Sequence, residues 1–256
     1  MQLRRARLQQ KFGEAAAQYD ARAQFQHVQT RRVLDAAHML LPEVATLADI
    51  GCGTGYFAHE ARPLRPRWNI LGADIAYGMC EAARARCHAV NADAIRLPLA
   101  DASVDGVVSA LCYQWVENQP QAFAEVARIL KPGGRAIIAS LGAATLQELR
   151  ASAQAAGLPI GLVPMQHCES SVKALRDAGL SVSLSEKRLE LVHYPTVAAL
   201  VESMRAIGAG NHLASAARGL TGPKRWAAMV DAYEQQRMPQ GLPATWEHHF
   251  FVVNKP

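Results

Sequence analysis

Cysteine is scarce and unpaired in this chain of 256 residues. Cys52, Cys80, Cys87, Cys112 and Cys168 are odd in number and scattered, and no two form a CxxC pair. Neither a zinc knuckle nor a redox dithiol is suggested, and the thiols read as reduced. His27, His167, His193, His212, His248 and His249 show no metal-ligand spacing, so no metal is expected. Charged residues are only 19%, too few for a disordered polyelectrolyte, while 50% of the chain is apolar and can bury a substantial core. No run of about 18 apolar residues would cross a membrane. The basic N-terminus is not followed by the apolar segment of a signal peptide. A soluble, cytoplasmic protein is expected, with no membrane association.

Excess charge of either sign is also small. Lysine and arginine total 27 against 22 aspartates and glutamates, a net +5. Neither half of the chain is a basic arm, so nucleic acid is not the default partner. Two stretches do lack acids. Residues 1–13 carry Arg4, Arg5, Arg7 and Lys11, and residues 205–225 carry Arg205, Arg218, Lys224 and Arg225.

The remaining sequence is patterned. Residues 8–40 carry helical stripes through Phe12, Ala16 and Tyr19, then Val33, Leu34, Ala37, Leu40 and Leu41, with Pro42 as the stop. Beyond it strands and helices alternate. Strands are predicted at 46–50, 68–73, 88–91, 104–110 and 135–141, with helices from 56, over 76–87 and over 121–130. That alternation implies an α/β fold with a parallel sheet and helices on both faces. After residue 142 the pattern loosens. Helices are predicted at 145–156, 170–178, 196–207 and 223–237, a long strand or bent pair at 181–194, and a last strand at 245–253. The simplest organisation is one domain with an inserted helical lid at about 195–240.

The strongest local signal is Ala48-Asp49-Ile50-Gly51-Cys52-Gly53-Thr54-Gly55, at the end of a strand. Alternate glycines let the backbone turn sharply and approach a ligand, and the next helix offers its N-terminal N–H groups. The third glycine comes one residue too early for the dinucleotide fingerprint G-x-G-x-x-G. Asp74 closes the second strand, where a carboxylate can accept both ribose hydroxyls of a nucleoside. Asp93 follows the third strand in Asn91-Ala92-Asp93-Ala94.

These residues resemble the class I S-adenosylmethionine-dependent methyltransferases. The GxGxG turn is similar to their motif I, Ser103-Val104-Asp105-Gly106-Val107-Val108 to their fourth strand, and Glu125 through Gly134 to their helix-and-turn signature. The resemblance implies a Rossmann-like, doubly wound, mostly parallel seven-stranded sheet with an antiparallel final strand. A narrower resemblance covers nearly the whole chain. Phe12-Gly13-Glu14-Ala15-Ala16-Ala17-Gln18-Tyr19-Asp20 with Ala23-Gln24-Phe25-Gln26, the pair Gln114-Trp115, Met204-Arg205-Ala206-Ile207-Gly208-Ala209, Gly219-Leu220-Thr221 and Gly241 through Trp246 resemble the malonyl-[acyl-carrier protein] O-methyltransferase family. Residues 157–170 match that family poorly.

The resemblance divides the chain into an N-terminal helical cap (1–42), a donor-binding core (43–142) and an acceptor side with the lid (143–256). It implies S-adenosylmethionine as methyl donor, without a metal, held by Asp49, Gly51, Gly53, Gly55, Asp74, Ile75, Asp93, Ala94 and Gln26. Tyr19 would cover the reacting centre, Gln114 and Trp115 would contact the acceptor, and Arg205 would grip its carboxylate. The implied acceptor is malonyl-acyl carrier protein or malonyl-CoA, in biotin biosynthesis. Arg218, Lys224, Arg225 and the N-terminal arginines would face the acidic carrier. Two other readings share motif I: a small-molecule methyltransferase acting on a quinone or small acid, and a catalytically silent binding protein.

Overall fold

The structure, a computed structural model, describes residues 2–160, 162–206 and 222–256, with the backbone alone described at residues 2–8, 11, 15, 17, 205 and 206. Seven strands, β1 (Ala45–Ile50), β2 (Trp68–Asp74), β3 (His88–Asn91), β4 (Val104–Ala110), β5 (Leu130–Leu141), β6 (Ser181–Tyr194) and β7 (Leu242–Asn254), form one sheet. Their order is β3-β2-β1-β4-β5-β7-β6. Strand β1 lies parallel between β2 and β4, with Ala48 opposite both Leu71 and Val107. The final strand reverses direction. Strand β7 runs antiparallel to β5, with Ile138 opposite Phe251, and to β6, with Lys187 opposite His249.

Adjacent apolar residues in β1, β4 and β5, such as Leu47-Ala48, Val107-Val108 and Ile137-Ile138, follow from burial on both faces. Successive side chains point to opposite sides of a strand. Leu47, Val108 and Ile137 therefore pack on one face, against Val33, Leu34 and Ala37 of α2 (Gln24–Leu40) and Phe57 and Ala61 of α3 (Tyr56–Leu64). Their neighbours Ala48, Val107 and Ile138 pack on the other, against Phe123, Val126 and Ile129 of α5 (Gln119–Ile129) and Leu175 of α7 (Cys168–Asp177). Burying a side chain such as Phe123 contributes about 2–3 kcal/mol. Helix α5 starts where the sequence provides for it: Asn118 accepts from the backbone N–H of Gln121 at 3.2 Å, and proline occupies the first turn.

The long N-terminal helical region is two helices, α1 (Gln2–Arg22) and α2, broken at the buried Ala23. Helix α4 (Tyr77–Ala83) is shorter than its apolar pattern predicts. There the chain turns off, and Arg86 reaches back to Thr54 and Asp20 instead of continuing the helix. The 181–194 segment is one long edge strand with an irregularity between Val182 and Leu184. Its charged, exposed Lys187, Arg188 and Glu190 discourage edge pairing with another chain. Helices α6 (Gln147–Ala155), α8 (Val197–Ala206) and α9 (Gly222–Glu234) gather around Leu141 and Trp246 in a third apolar cluster. Among the described residues, no helix is long and apolar enough to cross a membrane.

Candidate active site

The glycine turn joins β1 to α3 at the carboxyl end of the sheet, where open α/β sheets bind ligands. Gly51 and Gly53 hold φ of +74° and +53°, a region that side chains disfavour. A Cβ on Gly51 would lie 2.4 Å from the Cβ of Cys112, whereas one on Gly53 would meet nothing within 4 Å. The first glycine is thus needed for packing, and the second keeps a cradle open. Gly55 lies away from this cradle. It starts α3 with φ +80° and packs against Ala83 and Arg86.

Two carboxylates stand beside the turn. Asp74 Oδ2 accepts from the Gly53 N–H at 3.0 Å, and Oδ1 accepts from the Ala76 N–H at 2.8 Å. These bonds fix the carboxylate and leave lone pairs toward the cavity. Burial raises its pKa, and the backbone donors oppose the rise. Asp49 is buried, its Oδ2 has no hydrogen-bond partner, and burial with the nearby Asp74 pushes its pKa up to about 7.

A cavity of ≈ 290 Å³ opens over Gly51, Gly53, Asp74, Ile75, Asp93 and Ala94. Asp93 Oδ1 accepts from the Ile95 N–H at 3.1 Å. Phe12 and Tyr19 of α1, together with Trp115, supply aromatic walls; the Phe12 and Trp115 rings meet edge-on at 5.7 Å. Helix α1 is tied down through Asp20, which accepts from Thr54 Oγ1 at 2.6 Å and pairs with Arg86 at 2.8 Å. Despite desolvation, these two partners hold the Asp20 carboxyl below its ordinary range. Burial, helped by Asp74 and Asp20, pushes the Tyr19 phenol up, so it stays protonated near neutrality.

A second cavity of ≈ 70 Å³ shares Phe12, Tyr19, Leu111, Trp115 and Val163 with the first. Gln26 and Gln114 both line it. The Gln114 amide donates to Leu111 O at 2.7 Å and accepts from Ser140 Oγ at 3.1 Å, whereas Gln26 Oε1 is buried without a partner among the described residues. The side chain of Arg205 lies outside the described residues, as do Ile207-Gly208-Ala209, His212, Arg218 and Gly219-Leu220-Thr221. Met204, next to Arg205 on α8, lines the cavity and is buried.

Several cavity residues have no sequence signature. Leu111 and Leu146 line the second cavity with φ of +59° and +57°, conformations that cost an ordinary side chain about 1–3 kcal/mol. Leucine gives no hint of that backbone. Leu162, Val163 and Met165 also line it, from a segment where the family resemblance is weak. Among the described residues, Arg150 is the one cation that lines this cavity.

The residues present fit S-adenosylmethionine. A fixed carboxylate at Asp74 suits ribose hydroxyls. The cradle at Gly53 admits a ligand, and the orphaned Asp49 Oδ2 and Gln26 Oε1 suit a cationic amino-acid tail. With five parallel strands, a reversed seventh strand inserted beside the fifth, and the glycine turn at the sheet's carboxyl end, the molecule has the class I methyltransferase fold. A family model described as a methyltransferase domain matches residues 48–138. The chain is 37% identical over 247 residues to the malonyl-[acyl-carrier protein] O-methyltransferase of Xylella fastidiosa, covering 92% of this chain and 83% of that one. The chain belongs to the malonyl-[acyl-carrier protein] O-methyltransferase family. It is also 36% identical to the biotin biosynthesis bifunctional protein of Cellvibrio japonicus over 98% of its own length, and it spans 50% of that longer protein. Among solved structures, geranyl diphosphate methyltransferase in complex with SAM superposes with a TM-score of 0.58 at 14% identity, over 90% of this chain and 85% of that one, which shows the shared fold.

Proposed function

We propose that the protein transfers a methyl group from S-adenosylmethionine to the free carboxylate of malonyl-acyl carrier protein or malonyl-CoA, giving the malonyl methyl ester for biotin biosynthesis. The observation that carries this reading is the pair of joined cavities. One is walled by the glycine turn, Asp74 and Asp93, and the other is largely apolar and, among the described residues, has no acid on its wall.

When bound, S-adenosylmethionine supplies a methyl group on a positively charged sulfur. The acceptor carboxylate is already ionised at about pH 7, so no general base is required. What the chain must provide is alignment, which can supply roughly 7–11 kcal/mol of a barrier. In this reading Asp74 accepts from the ribose, Ile75, Asp93 and Ala94 border the adenine, and Asp49 and Gln26 face the amino-acid end. Gly51, Gly53 and Gly55 keep the turn tight. Tyr19 excludes water over the reacting centre while keeping its proton, and Gln114 and Trp115 form the acceptor wall. Arg205 holds the acceptor carboxylate from the lid. The carrier is acidic, so exposed Lys224 and Arg225 would speed its docking, and salt would weaken it. The N-terminal arginines and Arg218 would act in the same way.

Incubation with S-adenosylmethionine and malonyl-acyl carrier protein is expected to yield the methyl ester and S-adenosylhomocysteine. Turnover of a quinone or a small acid in its place would overturn the reading, and failure to bind the donor would identify a silent homologue. Rescue of a biotin-requiring strain lacking its methyltransferase, scored with and without biotin, tests the biological role. Arg205→Ala is expected to lower turnover roughly 10- to 100-fold, the loss of one or two charge-assisted hydrogen bonds, with unchanged donor affinity by calorimetry. Full activity in that variant would remove Arg205 from the site.

A further inference from the structure

A third recess, of ≈ 320 Å³, lies between α3 and the start of β3. Arg62, Arg65, Arg84 and Arg86 line it, with Asn69 and His88 beside them. The buried Ala58, Trp68 and Ile70 form its floor. Among the described residues, no acid lines it. It shares no residue with the donor and acceptor cavities. Strands β2 and β3 run parallel, and the recess sits where they begin, at Trp68 and His88. Asp74 ends β2 on the opposite, donor side.

The four arginines differ in what meets their charge. Arg86 pairs with Asp20 at 2.8 Å. Among the described residues, the other three have neutral partners. Arg62 Nη2 donates to Arg86 O at 3.1 Å. Arg65 Nε donates to His38 Nδ1 at 2.9 Å, and its Nη2 donates to His38 O. The Arg84 guanidinium lies over the Tyr77 ring, 5.7 Å from its centre. Two neighbouring acids are engaged elsewhere, Glu43 by Arg67 and Glu60 by Arg31. Carbonyls and rings orient a guanidinium but leave its charge uncompensated.

A recess lined by one sign of charge over an apolar floor concentrates its potential and draws counter-ions. Guanidinium forks suit both carboxylates and phosphates. Charge separates the two. A carboxylate brings one negative charge and two oxygens, whereas a phosphate group brings nearly two charges and three acceptor oxygens. Three uncompensated arginines match the polyvalent anion, and the volume admits more than one phosphate group.

We propose that Arg62, Arg65 and Arg84 form a binding site for a diphosphate-bearing small molecule, at the end of the sheet opposite the donor cavity. A free diphosphate and a nucleoside diphosphate present the same oxygens to it. The site stands independently of the acceptor assigned above.

The test titrates pyrophosphate, ADP and citrate calorimetrically into the full chain. The protein is first saturated with S-adenosylhomocysteine, so that the adenine of ADP does not enter the donor cavity. Wild type is expected to bind pyrophosphate at one saturable site, more weakly as salt is raised. Citrate, a trivalent carboxylate, is expected to bind less tightly. Arg62→Gln and Arg84→Gln are each expected to weaken pyrophosphate binding about tenfold, the loss of one charge-assisted contact. Both side chains are exposed, so the variants are expected to melt as wild type does. If one of them fails to fold, the other decides. Tighter binding of ADP than of pyrophosphate assigns a nucleoside diphosphate as the source, and equal or weaker binding assigns free diphosphate. No saturable binding of either, undiminished affinity in a folded variant, or citrate binding as tightly as pyrophosphate overturns the site.

Discussion

Asp74→Ala is expected to bind S-adenosylmethionine about 100-fold more weakly than wild type, the loss of the two proposed ribose hydrogen bonds to a charged acceptor at about 1.5 kcal/mol each. The side chain is suited to such a role because it is held before any ligand arrives. Gly53 and Ala76 donate to separate oxygens of the carboxylate. Little order is left to impose on binding, so most of the interaction appears as affinity. Alanine also strips both backbone donors of their acceptor, so Asp74→Asn is the control. It retains one acceptor oxygen and lacks the charge, and an intermediate affinity is expected. Calorimetric titration of the donor reads both variants. A dissociation constant for Asp74→Ala within threefold of wild type would remove the ribose contact.

Asp49 should produce the second large effect, in stability and with a defined pH dependence. Its folded pKa is raised from 3.8 to about 7, which makes the ionised form about 4 kcal/mol less favourable in the folded chain. For an acid shifted upward, the penalty is absent below the unfolded value. It grows as pH rises through the window from 3.8 to about 7 and is complete above it. Asp49→Asn is therefore expected to unfold at higher denaturant concentration than wild type above about pH 7, and to lose that advantage near pH 4. The net gain should be about 1–3 kcal/mol, because the buried amide brings a donor that also needs a partner. Donor binding should couple to the same proton. A cationic ligand beside Asp49 favours the carboxylate, so affinity should rise with pH up to about 7 in wild type and stay flat in Asp49→Asn. A pH-independent stability difference between the two proteins would contradict the assignment.

The donor side was legible in the sequence because its parts are local. A glycine turn needs glycine where φ is positive, as at Gly51 and Gly53, and an acid at the end of a strand lands at the sheet's ligand-binding edge. The strands at 88–91 and 104–110 fall where the pattern predicts them; the second carries the buried Val104, Val107 and Val108, whereas the first is a short, mostly exposed edge strand. Helix α4 is shorter than predicted because Arg86 has a tertiary partner in Asp20, which a helical pattern does not reveal. The acceptor side was legible only through resemblance at Gln114 and Trp115. Its other walls come from three separate segments: Leu111, the start of α6 with Leu146 and Arg150, and Val163.

By itself the sequence determined the alternating α/β core and the glycine turn, set by hydrophobic period and by the φ that glycine permits, and with them the two acids at the end of β2 and beyond β3. It also showed the scarcity of cysteine and of net charge that excludes dithiol chemistry and a nucleic-acid arm. The tertiary structure alone decided that two cavities share a wall of Tyr19, Leu111 and Trp115, and that among the described residues no acid lines the smaller one beside Arg150. Whether an arginine is paired depends on which segments fold around it. The 27 basic and 22 acidic residues counted along the chain carry no such information, because desolvation and charge pairing act through space.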